Sequence, residues 1–542
     1  MVILLRVWTP AGPLRPRWPA RLLALGASVL LSLLALDIGA AAWSAWRHSA
    51  PRLPGFGATG PAGTQPVPLE HAPAPGGPEP DLPTRFAPGA RRPGAAPVRI
   101  LVLGESSARG EPYHPWVSVG QIVGWKLESV FPGRPIQVES WAKGGACLAE
   151  MHNRLAGLTY RPDALILYVG HNEFQARYPW MREVDWYYHD DLPSLSSPRS
   201  LTALLRYSPL CRLVLETWEH QRLGKRPPHW VTRELIDRPV CTAEEAGQIL
   251  ADFRRRLEAI AAYCAAIQTL PIFIIPASND GGFDPTRSVL APATPAAERA
   301  AVARAVARAR ALETKDPAAA LRIDRELVER HPEFAEAHYR LARLREQAGD
   351  WDEARRHYLA ARECDALPLR CPEDFRQAYR DVAANHPAVL LVDGPLVLES
   401  ISTHGILDDR LLHDAQHPNL RAYAALAQDV LDQLARRRAF GWPDGAEAPR
   451  VDADSCARHF GLDASRWAEV CRREAVFYRI TTYIRYDPKL RNEKSAAYLR
   501  AAQAIEAGTP PDQAGIPGWG MRPRPASSSH VIPAISTVPT VW

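Results

Sequence analysis

The chain has 542 residues, which allows about three or four domains, or fewer with long unstructured stretches. Hydrophobic residues make up 46% and charged residues 23%, proportions that exclude wholesale disorder, while 51 prolines point to linkers and tails. The 65 Lys and Arg against 60 Asp and Glu leave a net charge of only +5, with the arginines scattered rather than striped, which argues against a nucleic-acid partner.

The first element is the apolar run Leu22 to Ala42, about 21 positions, enough for a helix to cross roughly 30 Å of hydrocarbon. Arg6, Arg15, Arg17 and Arg21 precede it and keep the N-terminus, residues 1–21, in the cytoplasm, while Trp43 and Trp46 suit the outer interface. Residues 22–46 are therefore expected to be a transmembrane signal anchor; the alternative is a cleaved signal peptide ending at Ala40-Ala41-Ala42. Either way the rest of the chain is exported, to the periplasmic side in a bacterium. Residues 47–97 follow as a spacer, because from Pro51 to Pro97 roughly 45% of residues are Pro or Gly and cannot bury enough apolar surface to order themselves.

Short apolar runs ending in glycine, separated by helical patterns, then predict an α/β domain over 98–297 and 369–440. Strands are expected at Val98–Leu103, Pro135–Ser140, Ala164–Val169, Ile272–Ile275 and Ala388–Val392. Helices are expected at Val119–Val130, Cys147–Leu158, Glu244–Gln268 and Leu420–Arg437. The alternation implies a parallel sheet, flavodoxin-like, covered by helices on both faces, with chemistry at the carboxyl ends of its strands. After the third strand, the stretch from about Ala176 to Thr242 is rich in aromatics, among them Tyr178, Trp180, Trp186 and Trp230, and is read either as a roof over the site that stacks on sugar rings or as ordinary core.

Between the fourth and fifth strands, Ala335-Glu336-Ala337-His338-Tyr339-Arg340-Leu341-Ala342, Gly349-Asp350-Trp351-Asp352-Glu353-Ala354, Tyr358 and Ala361 resemble one tetratricopeptide repeat, and Asp316-Pro317, Ala320 and Pro332 fit the second half of another. Residues 298–368 are thus expected to be an all-α helical-repeat insert, serving as a docking surface for a protein partner or as a brace on the main domain. Residues 441–508 have helical patterning of no assigned role, and 509–542 read as a disordered tail. The eight cysteines show no CxxC and no zinc spacing with histidine, which disfavours a metal site; Cys364–Cys371, Cys456–Cys471 and Cys211–Cys241 are each read as a disulfide or a pair of buried thiols.

The residues just past the strands carry the functional signal. They are Gly104-Glu105-Ser106-Ser107, then Lys143-Gly144-Gly145, then Gly170-His171-Asn172-Glu173, and finally Asp414-Ala415-Gln416-His417-Pro418-Asn419. In this order they resemble the four blocks of the SGNH (GDSL-type) hydrolases, with Glu105, Ser107 and Glu173 where that family has Asp, Leu and Asp. The resemblance implies a Ser106 nucleophile, His417 as its base, Asp414 behind the imidazole, and an oxyanion hole made of the Ser106 and Gly145 N–H groups and the Asn172 amide. A serine hydroxyl needs such a base to become a nucleophile, and an oxyanion needs preorganised donors. Asp and His three apart on a turn can face the same side. Each residue also has a plain structural reading: Ser106 as a helix cap, Gly144-Gly145 as a tight turn, Asn172 as a bridge between loops, Asp414 as an N-cap and His417 as a satisfied surface histidine.

The resulting expectation is a membrane-tethered serine esterase acting through a covalent acyl-enzyme on an ester-bearing substrate, an acylated glycan for example, and needing no cofactor. Transfer of the acyl group to an envelope carbohydrate is one alternative. A non-catalytic scaffold using the helical insert is the other.

Overall fold

The computed structural model describes residues 82–86, 96–175, 241–485 and 487–520. The expected anchor at 22–46, most of the spacer, the aromatic stretch 176–240 and the chain after 520 lie outside the described residues. Among the described residues no helix is long and apolar enough to cross a membrane.

Five short runs form one parallel sheet: β1 (Val98–Gly104), β2 (Ile136–Ser140), β3 (Ala164–Tyr168), β4 (Leu270–Ile274) and β5 (Leu390–Val392), in the order β2-β1-β3-β4-β5. Around and after them run α1 (Ser106–Arg109), α2 (Val119–Val130), α3 (Leu148–Arg154), α4 (Ala243–Ala266), α5 (Ala296–Leu312), α6 (Pro317–Arg330), α7 (Ala335–Gln347) and α8 (Trp351–Glu363). They continue as α9 (Glu373–Asn385), α10 (Gly394–Ile401), α11 (Leu420–Arg436), α12 (Ala453–His459), α13 (Ala464–Thr481) and α14 (Lys489–Glu506).

Alternate side chains of a strand face opposite sides, so β1 feeds two cores. Ile100 and Val102 join Ile122 and Val123 of α2 and Leu426 and Val430 of α11 on one face. Leu101 and Leu103 join Met151 of α3, Leu257 and Ile260 of α4 and Tyr379 of α9 on the other. Burial on both faces is why β1 and β3 are continuous apolar runs, whereas the edge strand β2, Ile136-Gln137-Val138-Glu139-Ser140, alternates and is largely exposed. Each such side chain stabilises the fold by about 1.5–3 kcal/mol. Local signals start the covering helices: Thr242 and Glu245 form a capping box at α4, and the Asn419 side chain accepts from the N–H groups of Arg421 and Ala422 at α11.

The insert is four helices, α5 to α8, in two packed pairs, with Asp316 capping α6 and Pro317 in its first turn. It is anchored to its surroundings rather than standing apart. The Tyr339 hydroxyl donates to the Gly281 carbonyl at 3.1 Å, and Trp351, packed against the repeat's own cluster, also stacks on His404 at 4.1 Å. Most telling is Glu336, fully buried, whose carboxylate meets Arg310 (2.7 Å), Arg340 (2.7 Å) and Arg485 (2.9 Å). Arg485 comes from the segment between α13 and α14, so one carboxylate ties the insert to the C-terminal helices. Burial opposes its charge, yet the three guanidinium groups hold Glu336 well below the usual carboxylate range.

Two expectations change. The chain stays packed to residue 520: Ile516 and Trp519 are buried, and Trp519 lies against Trp467 at 5.0 Å with the Arg421 guanidinium over its ring. Pro and Gly suggested disorder from 509, but two large apolar side chains suffice to hold this stretch down. The cysteines Cys364, Cys371, Cys456 and Cys471 are free, buried thiols, so neither the 364–371 nor the 456–471 disulfide exists; Cys211 lies outside the described residues. Removing the Glu336 carboxylate strands buried arginines. Glu336→Ala is expected to lower unfolding stability by about 3–5 kcal/mol in a denaturant titration, and a midpoint equal to wild type would refute its anchoring role.

Candidate active site

β1 ends in Gly104, at φ +153°, where a Cβ would meet the Tyr168 carbonyl oxygen at 2.1 Å. Only glycine lets β1 and β3 approach this closely, and the tight exit delivers Ser106 to the carboxyl edge of the sheet. Ser106 opens α1, a single turn, so its backbone N–H groups matter more here than any macrodipole. The loop after β2 is placed beside it by the Lys143 N–H, which donates to the Gly104 carbonyl at 3.0 Å. Gly145 in that loop has φ +74°, whereas Gly144 does not enter the left-handed region, so position 145 is the one that requires glycine. Among the described residues no acceptor takes the N–H of Ser106 or of Gly145.

Past β3, the Asn172 amide donates to a Glu105 oxygen at 2.7 Å and, more loosely, to the Ala146 carbonyl at 3.3 Å. Asn172 thus bridges the first and second blocks, as the plain reading had it, and only its longer bond is available to be exchanged for another acceptor. Glu105, the departure from the usual Asp, is fully buried and accepts the His171 N–H with both oxygens at 3.2 Å. Burial, reinforced by the nearby Glu173, pushes its carboxyl well above the ordinary range; Glu173, half-buried, is pushed up to about 8, chiefly by desolvation, and accepts the Leu148 N–H.

The fourth block comes from the loop between α10 and α11, closed by a bridge between Leu412 and Pro418. The His417 Nε2 lies 2.7 Å from Ser106 Oγ, and its Nδ1 lies 2.6 Å from Asp414 Oδ2. The other oxygen of Asp414 accepts the N–H groups of Gln416 and His417, both at 2.9 Å. Ser106, His417 and Asp414 therefore form one continuous hydrogen-bonded row, and Ser107 Oγ donates to the Gln416 carbonyl at 3.1 Å to fasten the first block to the fourth.

Burial works against charge on both members of the pair. For Asp414 it is outweighed by His417 and by the hydrogen bonds from His417 and the backbone, and the pKa falls below the usual value. For His417 it is outweighed by Asp414 and its hydrogen bond, with a contribution from Glu111, and the pKa rises above 6.5. The Phe477 ring meets the imidazole edge-on at 5.5 Å. His413, unremarkable in the sequence, is a buried strut: its Nε2 meets the Tyr113 hydroxyl at 2.7 Å, and its carbonyl accepts the hydroxyls of Tyr478 (3.1 Å) and Tyr498 (2.9 Å).

Among the described residues one cluster could share a metal ion, Asp414, His417 and Glu474. Both nitrogens of His417 and both oxygens of Asp414 already have hydrogen-bond partners, while Glu474 Oε2 has none. The residues that sequence reasoning missed are Tyr113, Glu111, Phe477 and Glu474, none of which had a local signal, while Glu105 was noted beside Ser106 but given no role.

Residues 311–368, which contain α6 to α8, match the tetratricopeptide repeat family. No curated protein matches the chain.

The charge on Asp414 is what holds the His417 pKa up. Followed by its low-field imidazole N–H resonance, His417 is expected to titrate above 6.5, and Asp414→Asn should bring the midpoint down; an unchanged midpoint would show that Asp414 does not stabilise the imidazolium.

Proposed function

We propose that this chain is a serine esterase of the SGNH type that cleaves acyl esters through a covalent intermediate on Ser106. The observation that carries the reading is the row Ser106 Oγ, His417 Nε2, His417 Nδ1, Asp414 Oδ2, with spacings of 2.7 and 2.6 Å. Two features support it: the strand order 2-1-3-4-5, the flavodoxin-like order in which ligands bind at the carboxyl edge, and the family's blocks at that edge.

In the reaction His417 Nε2 takes the Ser106 proton as Oγ bonds to the ester carbonyl carbon. Asp414 stays ionised and stabilises the imidazolium. The N–H groups of Ser106 and Gly145 receive the developing oxyanion, with the Asn172 amide turning from Ala146 to join them; each such donor contributes about 2.7–4 kcal/mol. His417 then hands its proton to the departing alkoxide. Water, deprotonated by the same nitrogen, attacks the acyl-enzyme, releases the carboxylic acid and returns the proton to Ser106. A carbohydrate hydroxyl in place of water would make the same site an O-acyltransferase.

The location belongs to the proposal too. Leu22 to Ala42, preceded by arginines, would anchor the chain by a single helix and export the catalytic domain, where acylated envelope glycans are the accessible ester substrates. The outer helices of the repeat insert are the surface offered to a protein partner.

With p-nitrophenyl acetate and the full-length protein, Ser106→Ala is expected to lower kcat by roughly 10³-fold or more, with fluorophosphonate labelling lost as well. Because the base must be neutral, activity falls as pH drops through the His417 pKa, so the acid limb of kcat/KM should lie above pH 6.5. Acylation that stalls until a sugar acceptor is added would assign the transferase. An unlabelled Ser106 and no turnover would leave the scaffold.

A further inference from the structure

We propose that Glu474, on α13 of the C-terminal helices, is a positioning residue of this site: its carboxyl donates a hydrogen bond to Asp414 and so holds the group that orients His417. For its functional meaning the proposal rests on the esterase reading. The arrangement itself rests on geometry.

One side-chain nitrogen or oxygen of each of Asp414, His417 and Glu474 lies within 4.8 Å of the other two, and Glu474 is only 2% exposed. The proposed hydrogen bond would join the two carboxyl groups across this short separation. Two carboxyl groups can make such a bond only if one keeps its proton. Asp414 has every reason to be the anion, since one oxygen accepts two backbone N–H groups and the other accepts the imidazole. Glu474 has none, because its Oε2 is buried with no partner. Ionised, it would be a buried charge with a bare oxygen beside a second anion.

The remaining surroundings agree. Burial first and the Asp414 charge second raise the Glu474 pKa well above the ordinary range, and Glu111, in the segment after α1, pushes the same way. Arg473 opposes them from the same helix, but it is also drawn to Glu469 at 3.0 Å and Glu111 at 3.8 Å. The other titratable neighbours, Cys471, Tyr113, Tyr478 and Tyr498, have burial as the leading cause that keeps their protons on.

A neutral donor on Asp414 has two effects. It fixes the plane of the carboxylate that faces Nδ1, and it spreads the anion's charge, so that the proton taken from Ser106 remains on the imidazole instead of passing to Asp414.

The test compares Glu474→Gln, which keeps a neutral donor, with Glu474→Met, which keeps the volume and removes it. Full-length protein is assayed with p-nitrophenyl acetate, and the low-field His417 proton is titrated in parallel. In Glu474→Gln, kcat should stay within a few-fold of wild type and the His417 midpoint should not move. In Glu474→Met, kcat should fall about 10–100-fold at unchanged KM, as for other residues behind a reacting group, and the midpoint should rise because the Asp414 charge is no longer shared. Wild-type kcat in the Met variant would overturn the proposal. So would a His417 midpoint lowered by Gln, which would mean that Glu474 had been charged. If wild type is as inert as Ser106→Ala and takes no fluorophosphonate, the esterase reading fails instead; the His417 titration then still decides, because a midpoint unmoved by Met refutes the hydrogen bond.

Discussion

Asp414 is a carboxylate without access to water, and such a group must find all of its hydrogen bonds inside the protein. Here the solution shapes everything near it. The loop that carries Asp414 folds back so that its own N–H groups at 416 and 417 reach one oxygen, and the imidazole of His417 occupies the other. That posture is what aims Nε2 at Ser106. The loop's backbone is gripped in turn by tyrosines 478 and 498 at the His413 carbonyl, Tyr113 holds the His413 ring, and the Asn419 side chain sets the start of α11 directly after it. The dry surroundings strengthen each hydrogen bond of the row.

The sheet and the four strand-end blocks were legible because their physics is local. A strand buried on both faces must be a short apolar run, a tight exit past a neighbouring carbonyl must be glycine, and a base and its acid can be neighbours on one turn. The helical repeat was legible for the same reason, since Ala337, Ala342, Ala354 and Ala361 recur where helices cross closely. What escaped was contact between distant stretches. Nothing around Glu474 distinguishes it from other helical glutamates, Arg485 gives no hint of Glu336 149 residues away, and Trp519 sits in a Pro- and Gly-rich context that resembles a loose tail. Chemistry in those cases depends on which surfaces meet, and periodicity does not encode that.

The two regions that looked like additions to the α/β core are bound into it. The repeat insert shares the Glu336 arginine cluster with the segment after α13, while α13 and α14 contribute Trp467, Tyr478 and Tyr498 to the same core as the strands. Insert and appendix brace each other as well as the sheet. The row of site residues consequently lies in a framework drawn from nearly the whole described chain rather than from a minimal α/β unit.

One consequence concerns synthesis. Tyr498, which grips the His413 carbonyl, lies far downstream of Ser106, Asp414 and His417, and the helix that bears it closes against α13. A chain emerging from the ribosome, or clipped by a protease before α14, would already hold its serine, histidine and aspartate but would lack the clasp that sets their loop. Full support for that loop is thereby deferred until α14 has been made and packed.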